Sequence, residues 1–195
     1  VSEDGIGPVN DSLQIHGRQF PIPTTDPSWV TDLGIAAVMA ASVGATDGGI
    51  AAVLAGFTPG PHRRRTVGTR NGITWIDDSK ATNPHAARAA AEAYTSVVLL
   101  AGGRNKELDL STIAPESVRH VVAFGEAAQS IAAVVGTPVS VVGDLAEAVA
   151  VAGRIAVIGD TVLLAPGCAS FDEFDSYASR GDRFAALVAA AEVAK

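Results

Sequence analysis

One stretch of the chain indicates its architecture, Gly72-Ile73-Thr74-Trp75-Ile76-Asp77-Asp78-Ser79-Lys80-Ala81-Thr82-Asn83-Pro84. Its first half, Gly72–Asp77, has the apolar pattern of a strand, and the alanine-rich segment Pro84–Tyr94 has that of a helix. A strand that turns directly into a helix is typical of an α/β sheet. The junction then lies at the carboxyl edge, where helix N-termini favour phosphates and carboxylates. The polar residues crowded into Asp78–Asn83 therefore indicate ligand binding.

A simpler interpretation is that Thr82 or Asn83 only caps the helix, with Pro84 in its first turn. A cap does not require Asp78 and Lys80 beside it, so the pattern favours a binding role.

Upstream of the junction, Arg65–Thr69 and Gly72–Asp77 flank Asn71-Gly72, a dipeptide suited to a tight hairpin. The cluster Thr58-Pro59-Gly60-Pro61 is the strongest structure breaker in the chain. We therefore place a domain boundary there, with residues 1–60 before it and residues 61–195 after it.

Downstream, short apolar runs alternate with helical segments. The predicted strands are Val97–Ala101, His120–Phe124, Val139–Val142 and Thr161–Ala165; the predicted helices are Pro84–Tyr94, Glu126–Val135, Asp144–Ala156 and Arg180–Val193. This alternation predicts an α/β domain with a doubly wound, mostly parallel sheet, opened by the β-hairpin.

Before the boundary, residues 11–22 contain one predicted strand, Ser12–His16, which turns at Gly17 and leads into a proline-rich loop that runs through Pro27. Two helices follow, at Trp29–Val43 and Gly48–Gly56. One strand and two helices are too little to close a core alone, so we expect this part to be the remainder of a larger domain.

Composition excludes several functions. The net charge of -7 and the single basic run, His62–Arg65, argue against binding to nucleic acid, and no apolar run is long enough to span a membrane. The single cysteine, Cys168, excludes an intramolecular disulfide and a cysteine-based metal site, and favours a reducing compartment, the cytoplasm. Val1–Asp4 does not read as a secretory signal, and the lack of an initiator Met suggests the middle of a longer protein.

Two further loops follow predicted strands. Ala101–Lys106 combines paired glycines with a lysine, and Ala165–Phe174 is a run of small residues that contains Ser170. No histidine is placed to activate Ser170, so its hydroxyl is interpreted as a donor to a ligand carboxylate. Alternatively, Ser170 caps a short helix that starts at Phe171. Hydroxyls and lysines in these loops point to a small anionic substrate such as a dicarboxylate.

These loops resemble the C-terminal part of a Mur ligase, most closely the branch that adds D-glutamate. The matching segments, in the family's order, are Pro61–Arg63, Trp75–Asn83, Gly102-Gly103 with Lys106, Gly159–Pro166, Ala169–Asp172, Tyr177 and Arg180-Gly181. The resemblance implies a Rossmann-like C-terminal amino-acid-binding domain at residues 61–195. It also implies that residues 1–60 are the tail of the central ATP-binding (ATPase) domain.

The resemblance also implies roles for individual residues. Thr82 and Lys106 would bind the α-carboxylate of D-glutamate, and Ser170 with the backbone near Tyr177 would hold its side-chain carboxylate. The residues assigned to ATP are His62, Arg63, Asp78, Lys80 and Asn83, with Asp78 on the ribose and Lys80 near the phosphates. The sequence departs from the family pattern at Arg65, usually acidic, and at Glu107, usually glycine. The asparagine that commonly faces the adenine near Trp29 is not evident.

The reaction that the resemblance implies is amide formation. ATP phosphorylates the carboxylate of UDP-N-acetylmuramoyl-L-alanine, and the amine of D-glutamate then attacks. ATP and Mg²⁺ are the implied cofactors, held mainly by a central domain that this chain lacks, so we expect the fragment to be inactive alone. We also expect the protein to be a monomer. Two alternatives stay open: a sibling ligase for another amino acid or for folate, and a non-catalytic Rossmann-like binding module.

Overall fold

The computed structural model describes residues 6–9, 12–15, 17–22 and 26–193. The chain divides into two compact units, residues 1–58 and residues 59–195. His16 and residues 23–25, which belong to the predicted first strand and its following loop, lie outside the described residues, as do the first five residues.

The first unit contains a small sheet and two helices. Its elements are β1 (Ile6–Val9), β2 (Ser12–Ile15), β3 (Arg18–Pro21), α1 (Pro27–Ser42) and α2 (Asp47–Ala55). The strands pair antiparallel in the order β1-β2-β3. Side chains from the sheet and both helices form one buried cluster, which includes Leu13, Phe20, Leu33 and Ile50.

The prediction of one strand in this region was wrong, because β1 and β3 flank the predicted strand on both sides. The sequence pattern did not predict these two strands because proline and glycine weaken the strand signal. β1 has the sequence Ile-Gly-Pro-Val, and β3 ends at Pro21. Both are edge strands, where a proline costs no ladder hydrogen bond if its nitrogen faces outward. The expectation that this part could not form a core was therefore also wrong.

The second unit is built on a larger sheet. Its elements are β4 (Arg65–Arg70), β5 (Ile73–Asp77), α3 (Pro84–Glu92), β6 (Val97–Gly102), β7 (Val118–Phe124), α4 (Ala128–Val134), β8 (Val139–Val141), α5 (Leu145–Ile155), β9 (Thr161–Gly167) and α6 (Tyr177–Val193). The predicted strands and helices of this unit are all present, with shifts of a few residues at their ends. The largest shift is in α6, which begins at Tyr177 and not at Arg180.

The six strands run in the order β4-β5-β9-β6-β7-β8. β4 and β5 form the antiparallel hairpin predicted from Asn71-Gly72, and both residues adopt positive φ angles, 51° and 72°. Every other neighbouring pair is parallel. The prediction of a mostly parallel α/β sheet opened by a hairpin is confirmed.

Strand periodicity divides the core into two layers. Leu99, Ala101 and Leu163 face α3 and α4, whereas Leu100 and Leu164 face α5 and α6. The central strands β6 and β9 are buried along their whole length, as expected when helices cover both faces. The sheet is therefore doubly wound, and it fixes the loops at its carboxyl edge.

Candidate functional site

The three polar loops predicted from the sequence lie beside one another. They follow β5, β9 and β6, which are adjacent parallel strands at the centre of the sheet. Because the carboxyl ends of parallel strands meet at one edge, the loops at residues 78–83, 103–110 and 168–176 share that edge.

Backbone hydrogen bonds join these loops. Arg104 and Ala169 exchange two, with N···O distances of 2.9 and 3.0 Å, and the Gly167 N–H donates to the Ala81 carbonyl at 2.9 Å. Gly103 has a φ of +115°, and a Cβ there would lie 2.2 Å from the Ala169 carbonyl oxygen. Only glycine fits this approach, which explains the second of the paired glycines, Gly102 and Gly103, at the end of β6.

Arg180 joins two of the loops, the one after β5 and the one after β9. Its side chain is completely buried. Its Nε donates to Ser79 Oγ at 3.0 Å and its Nη2 to the Ser79 carbonyl at 3.0 Å, while Nη1 and Nη2 both reach the Cys168 carbonyl at 3.2 Å. Burial lowers the pKa of Arg180 to about 10, so the guanidinium stays charged at neutral pH.

His62 and Asp77 form a second buried pair. His62 Nδ1 lies 2.7 Å from Asp77 Oδ2, and Asp77 Oδ1 accepts from the Ser79 N–H at 2.9 Å. Because a carboxylate accepts, this bond places a proton on Nδ1 and turns Nε2 outward, 3.8 Å from Oδ1 of the exposed Asp182. The Asp77 carboxylate thus fixes both the ring of His62 and the turn after β5.

Asp78 is buried at the end of β5, and its Oδ1 accepts from the Arg64 N–H at 3.3 Å. Burial raises the pKa of Asp78 to about 6, although the charges of Arg64 and Arg63 oppose this shift. The Asp78 carboxyl therefore titrates close to physiological pH.

Lys80 and Tyr177 are brought into direct contact. Lys80 Nζ lies 3.8 Å from the centroid of the Tyr177 ring, a cation–π arrangement. The Ser79 hydroxyl also donates to the Tyr177 carbonyl at 2.8 Å, and the rings of His62 and Tyr177 meet edge to face at 6.1 Å. The start of α6 is thereby held against the loop that follows β5.

Asn83 caps α3, as the simpler interpretation of the sequence proposed. Its side-chain oxygen accepts from the Ala86 N–H at 2.9 Å, and Pro84 occupies the first turn. Thr82 precedes it and is half-buried. The cap accounts for the side-chain oxygen of Asn83 but not for Asp78 and Lys80.

Lys106 is exposed on the loop after β6. The loop is shaped by Asn105, whose side chain exchanges two 3.1 Å hydrogen bonds with the backbone of Leu108. Glu107, beside Lys106, has a φ of +61°, a conformation in which glycine is favoured. Among the described residues, no ion pair or hydrogen bond of the Lys106 ammonium is found.

Ser170 is buried, and its carbonyl accepts from the N–H groups of Glu173 and Phe174 at 3.2 and 2.8 Å. The following residues form turns, so the proposed helix starting at Phe171 is absent from this described part of the chain.

Sequence reasoning missed the residues that support this site. Arg180 and Gly181 were noticed only as part of a matching segment, and Asp77 was interpreted as the end of a strand. Gly181 is needed because a Cβ there would lie 2.2 Å from His62 Nδ1. An arginine and a glycine next to each other inside an amphipathic helix are the one sequence signal available, and their role depends on contacts about 100 residues away.

The described residues contain no group of three or more His, Cys, Asp or Glu side chains that could hold a metal ion. No helix in the described residues is both long and apolar enough to cross a membrane.

Comparison with known proteins places this geometry in a family. Residues 62–168 match the family model described as "Mur ligase, glutamate ligase domain". The match covers more than half of the chain and includes two of the three loops that follow the central strands. The chain belongs to the Mur ligase family.

Curated proteins that are similar to this chain indicate one branch of the family. The chain is 44% identical to a UDP-N-acetylmuramoylalanine–D-glutamate ligase of Frankia casuarinae, in a match that covers 86% of this chain and 37% of that protein. It is 40% identical to the protein of the same name from Mycobacterium bovis, over 87% of this chain and 42% of that one. The chain thus spans about two fifths of the length of these relatives.

Solved structures share the fold at lower identity. A pseudomurein peptide ligase of Methanothermus fervidus gives a TM-score of 0.70 at 15% identity, over 92% of this chain and 39% of that chain. A UDP-N-acetylmuramoylalanyl-D-glutamyl-2,6-diaminopimelate–D-alanyl-D-alanyl ligase of Acinetobacter baumannii gives 0.68 at 19%, over 96% and 43%.

Proposed function

We propose that this chain is the amino-acid-binding part of an ATP-dependent ligase that joins D-glutamate to UDP-N-acetylmuramoyl-L-alanine in peptidoglycan precursor synthesis. The observation that carries the proposal is the convergence of three loops bearing Thr82, Lys106 and Ser170 at one sheet edge, in a chain that is 40–44% identical to D-glutamate ligases. D-glutamate is a dicarboxylate, so its site needs hydrogen-bond donors or cations at two separated points.

Within this proposal the donors divide between the two carboxylates. Thr82 and Lys106 bind the α-carboxylate, and the Ser170 hydroxyl binds the side-chain carboxylate beside the backbone at Tyr177. The place of Ser170, on the loop between β9 and Tyr177 at the start of α6, supports this division. Holding both carboxylates fixes the amine of D-glutamate, and such positioning supplies much of the rate of a bimolecular amide synthesis.

The residues assigned to ATP fit a nucleotide chemically. Asp78 offers a carboxylate that can accept from ribose hydroxyls, and Lys80 offers a cation suited to phosphate. Asn83 and the exposed Arg63 belong to the same proposal, and His62 presents Nε2 outward. ATP supplies the phosphoryl group that activates the substrate carboxylate. We assign Mg²⁺ to the central domain of the complete enzyme, as the resemblance to the family implies.

We further propose that residues 1–60 are the tail of the central ATP-binding domain. Apolar side chains at Ile35, Met39 and Val43 recur every four residues along and just beyond α1 and are 56%, 65% and 84% exposed. A row of this kind on one helix face is suited to packing against further protein. The reaction therefore belongs to the complete enzyme, a cytoplasmic monomer in this proposal, and not to this chain alone.

Phosphate release by the full-length protein tests the function. ATP, Mg²⁺ and UDP-N-acetylmuramoyl-L-alanine are supplied with each of several amino acids in turn. We expect turnover with D-glutamate only, and none by the 195-residue chain alone. Turnover with another amino acid would move the protein to a sibling ligase. No turnover with any amino acid, in an assay validated with an active ligase, would favour a binding module.

Two serine variants test the site within the same assay. Ser170→Ala should raise KM for D-glutamate much more than it lowers kcat, because it removes binding to the substrate. Ser130→Ala is the control, since Ser130 is exposed on α4 and belongs to none of the three loops. Equal KM values for the two variants would contradict the assignment of Ser170.

A further inference from the structure

A cavity of about 420 Å³ lies between α5, α6 and the β4–β5 hairpin, on the face of the sheet that carries these helices. The residues that line it are Arg70, Asn71, Ile73, Trp75, Ala146, Val149, Ala150, Gly153, Arg154, Leu187, Val188 and Ala191. None of the residues assigned above to D-glutamate or ATP is among them. The volume falls within the range of about 300–1,000 Å³ that is usual for small-molecule sites.

The cavity exists because α5 has small side chains on the face toward α6. Ala146, Ala150 and Gly153 lie three or four residues apart, so they share one helix face. A Cβ at Gly153 would meet the Trp75 ring at no closer than 3.8 Å, which shows how near the helix backbone comes to the indole. Trp75 forms the floor, where it packs against Phe184 at a centroid distance of 6.2 Å.

The described residues that line the cavity carry positive charge. The chain has a net charge of -7, yet the charged residues among the described lining residues are Arg70 and Arg154. Arg70 Nη1 donates to the Ala191 carbonyl, which joins the hairpin to α6. Arg154 is exposed in the last turn of α5, and within the described residues its guanidinium has no ion-pair or hydrogen-bond partner.

We propose that this cavity binds a small amphipathic anion, with an aromatic or branched apolar body over Trp75 and one anionic group at Arg154 and Arg70. The apolar walls, including Ile73, Val149 and Leu187, give affinity to the body of the ligand. The two arginines select the anionic end, because the described residues that line the cavity include no carboxylate to compete with it.

Binding is tested on the 195-residue chain with anilinonaphthalene sulfonate, an aromatic anion. The background variant is Trp29→Phe, which leaves Trp75 as the one tryptophan and keeps an aromatic ring against Phe57. We expect saturable binding of one probe per chain, with energy transfer from Trp75 to the probe. Absence of saturable transfer would overturn the proposal.

Three variants separate this cavity from other apolar surfaces. Ala150→Leu fills it and should weaken binding at least about tenfold, whereas Ala189→Leu, an exposed alanine of α6 outside the lining, should leave binding unchanged. Probe bound to the exposed apolar row of α1 would not respond to Ala150→Leu, and that result would contradict the proposal.

Arg154→Gln removes the positive charge of one exposed side chain and should not prevent folding. It therefore tests the proposal even if Ala150→Leu does not fold. It should weaken binding of the sulfonate by about two- to fivefold, as for an exposed ion pair. Phenylnaphthylamine, an uncharged probe with the same aromatic body, should bind equally to both forms. If Arg154→Gln lowered the melting temperature but left sulfonate affinity unchanged, the arginine would only stabilise the end of α5 and the proposal would be wrong.

Discussion

Gly181 lies directly against His62, so closely that a Cβ on Gly181 would be 2.2 Å from His62 Nδ1 and 2.7 Å from Asp77 Oδ2. Gly181 is inside helix α6, where glycine normally weakens a helix. Its presence there lets the helix pack onto the buried His62–Asp77 pair. The position of the pair at the sheet edge thus depends on a residue without a side chain.

The first prediction follows from this contact. Gly181→Ala should destabilise the chain by about 1–3 kcal/mol, because the added methyl forces apart a packed pair. Gly153→Ala is the matched control, also a helical glycine, but its Cβ would make only ordinary contacts. It should stabilise the chain by about 0.5–1 kcal/mol through helix propensity. Urea unfolding of both variants measures the difference, and equal effects would contradict this role of Gly181.

A second prediction concerns Arg180. Arg180→Lys should cost about 2–4 kcal/mol, because one ammonium cannot reach Ser79 and the Cys168 carbonyl together and leaves buried groups unpaired. Arg183→Lys, on the same helix but exposed, should change the free energy of unfolding by less than about 0.5 kcal/mol. Chemical denaturation compares the two. Similar costs would show that Arg180 does not hold the loops together.

The third prediction uses the pKa of Asp78, which burial raises from 3.8 to about 6. The folded chain therefore binds this proton more tightly than the unfolded chain. Between about pH 4 and pH 6, ionisation favours the unfolded state, so stability falls as pH rises through this window. Ionisation of Asp78 lowers the free energy of unfolding by about 3 kcal/mol well above pH 6, and this loss is absent below pH 4.

The variant Asp78→Asn tests this sign, since an amide keeps an acceptor for the Arg64 N–H but does not ionise. The free energy of unfolding of the variant minus that of the parent should increase from pH 4 to pH 7. Urea unfolding across this range gives the difference. A flat difference would mean that Asp78 titrates near its ordinary value.

A fourth prediction separates capping from ATP binding at Asn83. Asn83→Ala should destabilise the chain by about 1 kcal/mol through loss of the cap, whereas Asn83→Ser should retain most of the stability, because serine also caps. If Asn83 also contacts ATP, Asn83→Ser in the full-length enzyme should raise KM for ATP while the melting temperature stays near that of the parent. An unchanged KM would leave Asn83 as a cap only.

Much of the larger unit could be read from local patterns. The buried strands Val97–Gly102 and Thr161–Gly167 are continuous apolar runs, and Asn71-Gly72 specifies its hairpin. The positions of the strands and turns along the chain could therefore be predicted from the sequence. The same reasoning failed to predict two of the three strands of the smaller unit. Its edge strands contain Pro8 and Pro21, and only pairing with Ser12–Ile15 makes them strands.

The linear order of residues placed Thr82, Lys106 and Ser170 after strands, because a loop between a strand and a helix is a local feature. Tertiary structure alone made Arg180 a bridge between Ser79 and Cys168 and set Gly181 against His62, since these contacts join residues far apart in the chain. The same holds for the pKa of Asp78 and for the cavity over Trp75. Both arise from burial and from helix packing, which exist only after the sheet and its helices have assembled.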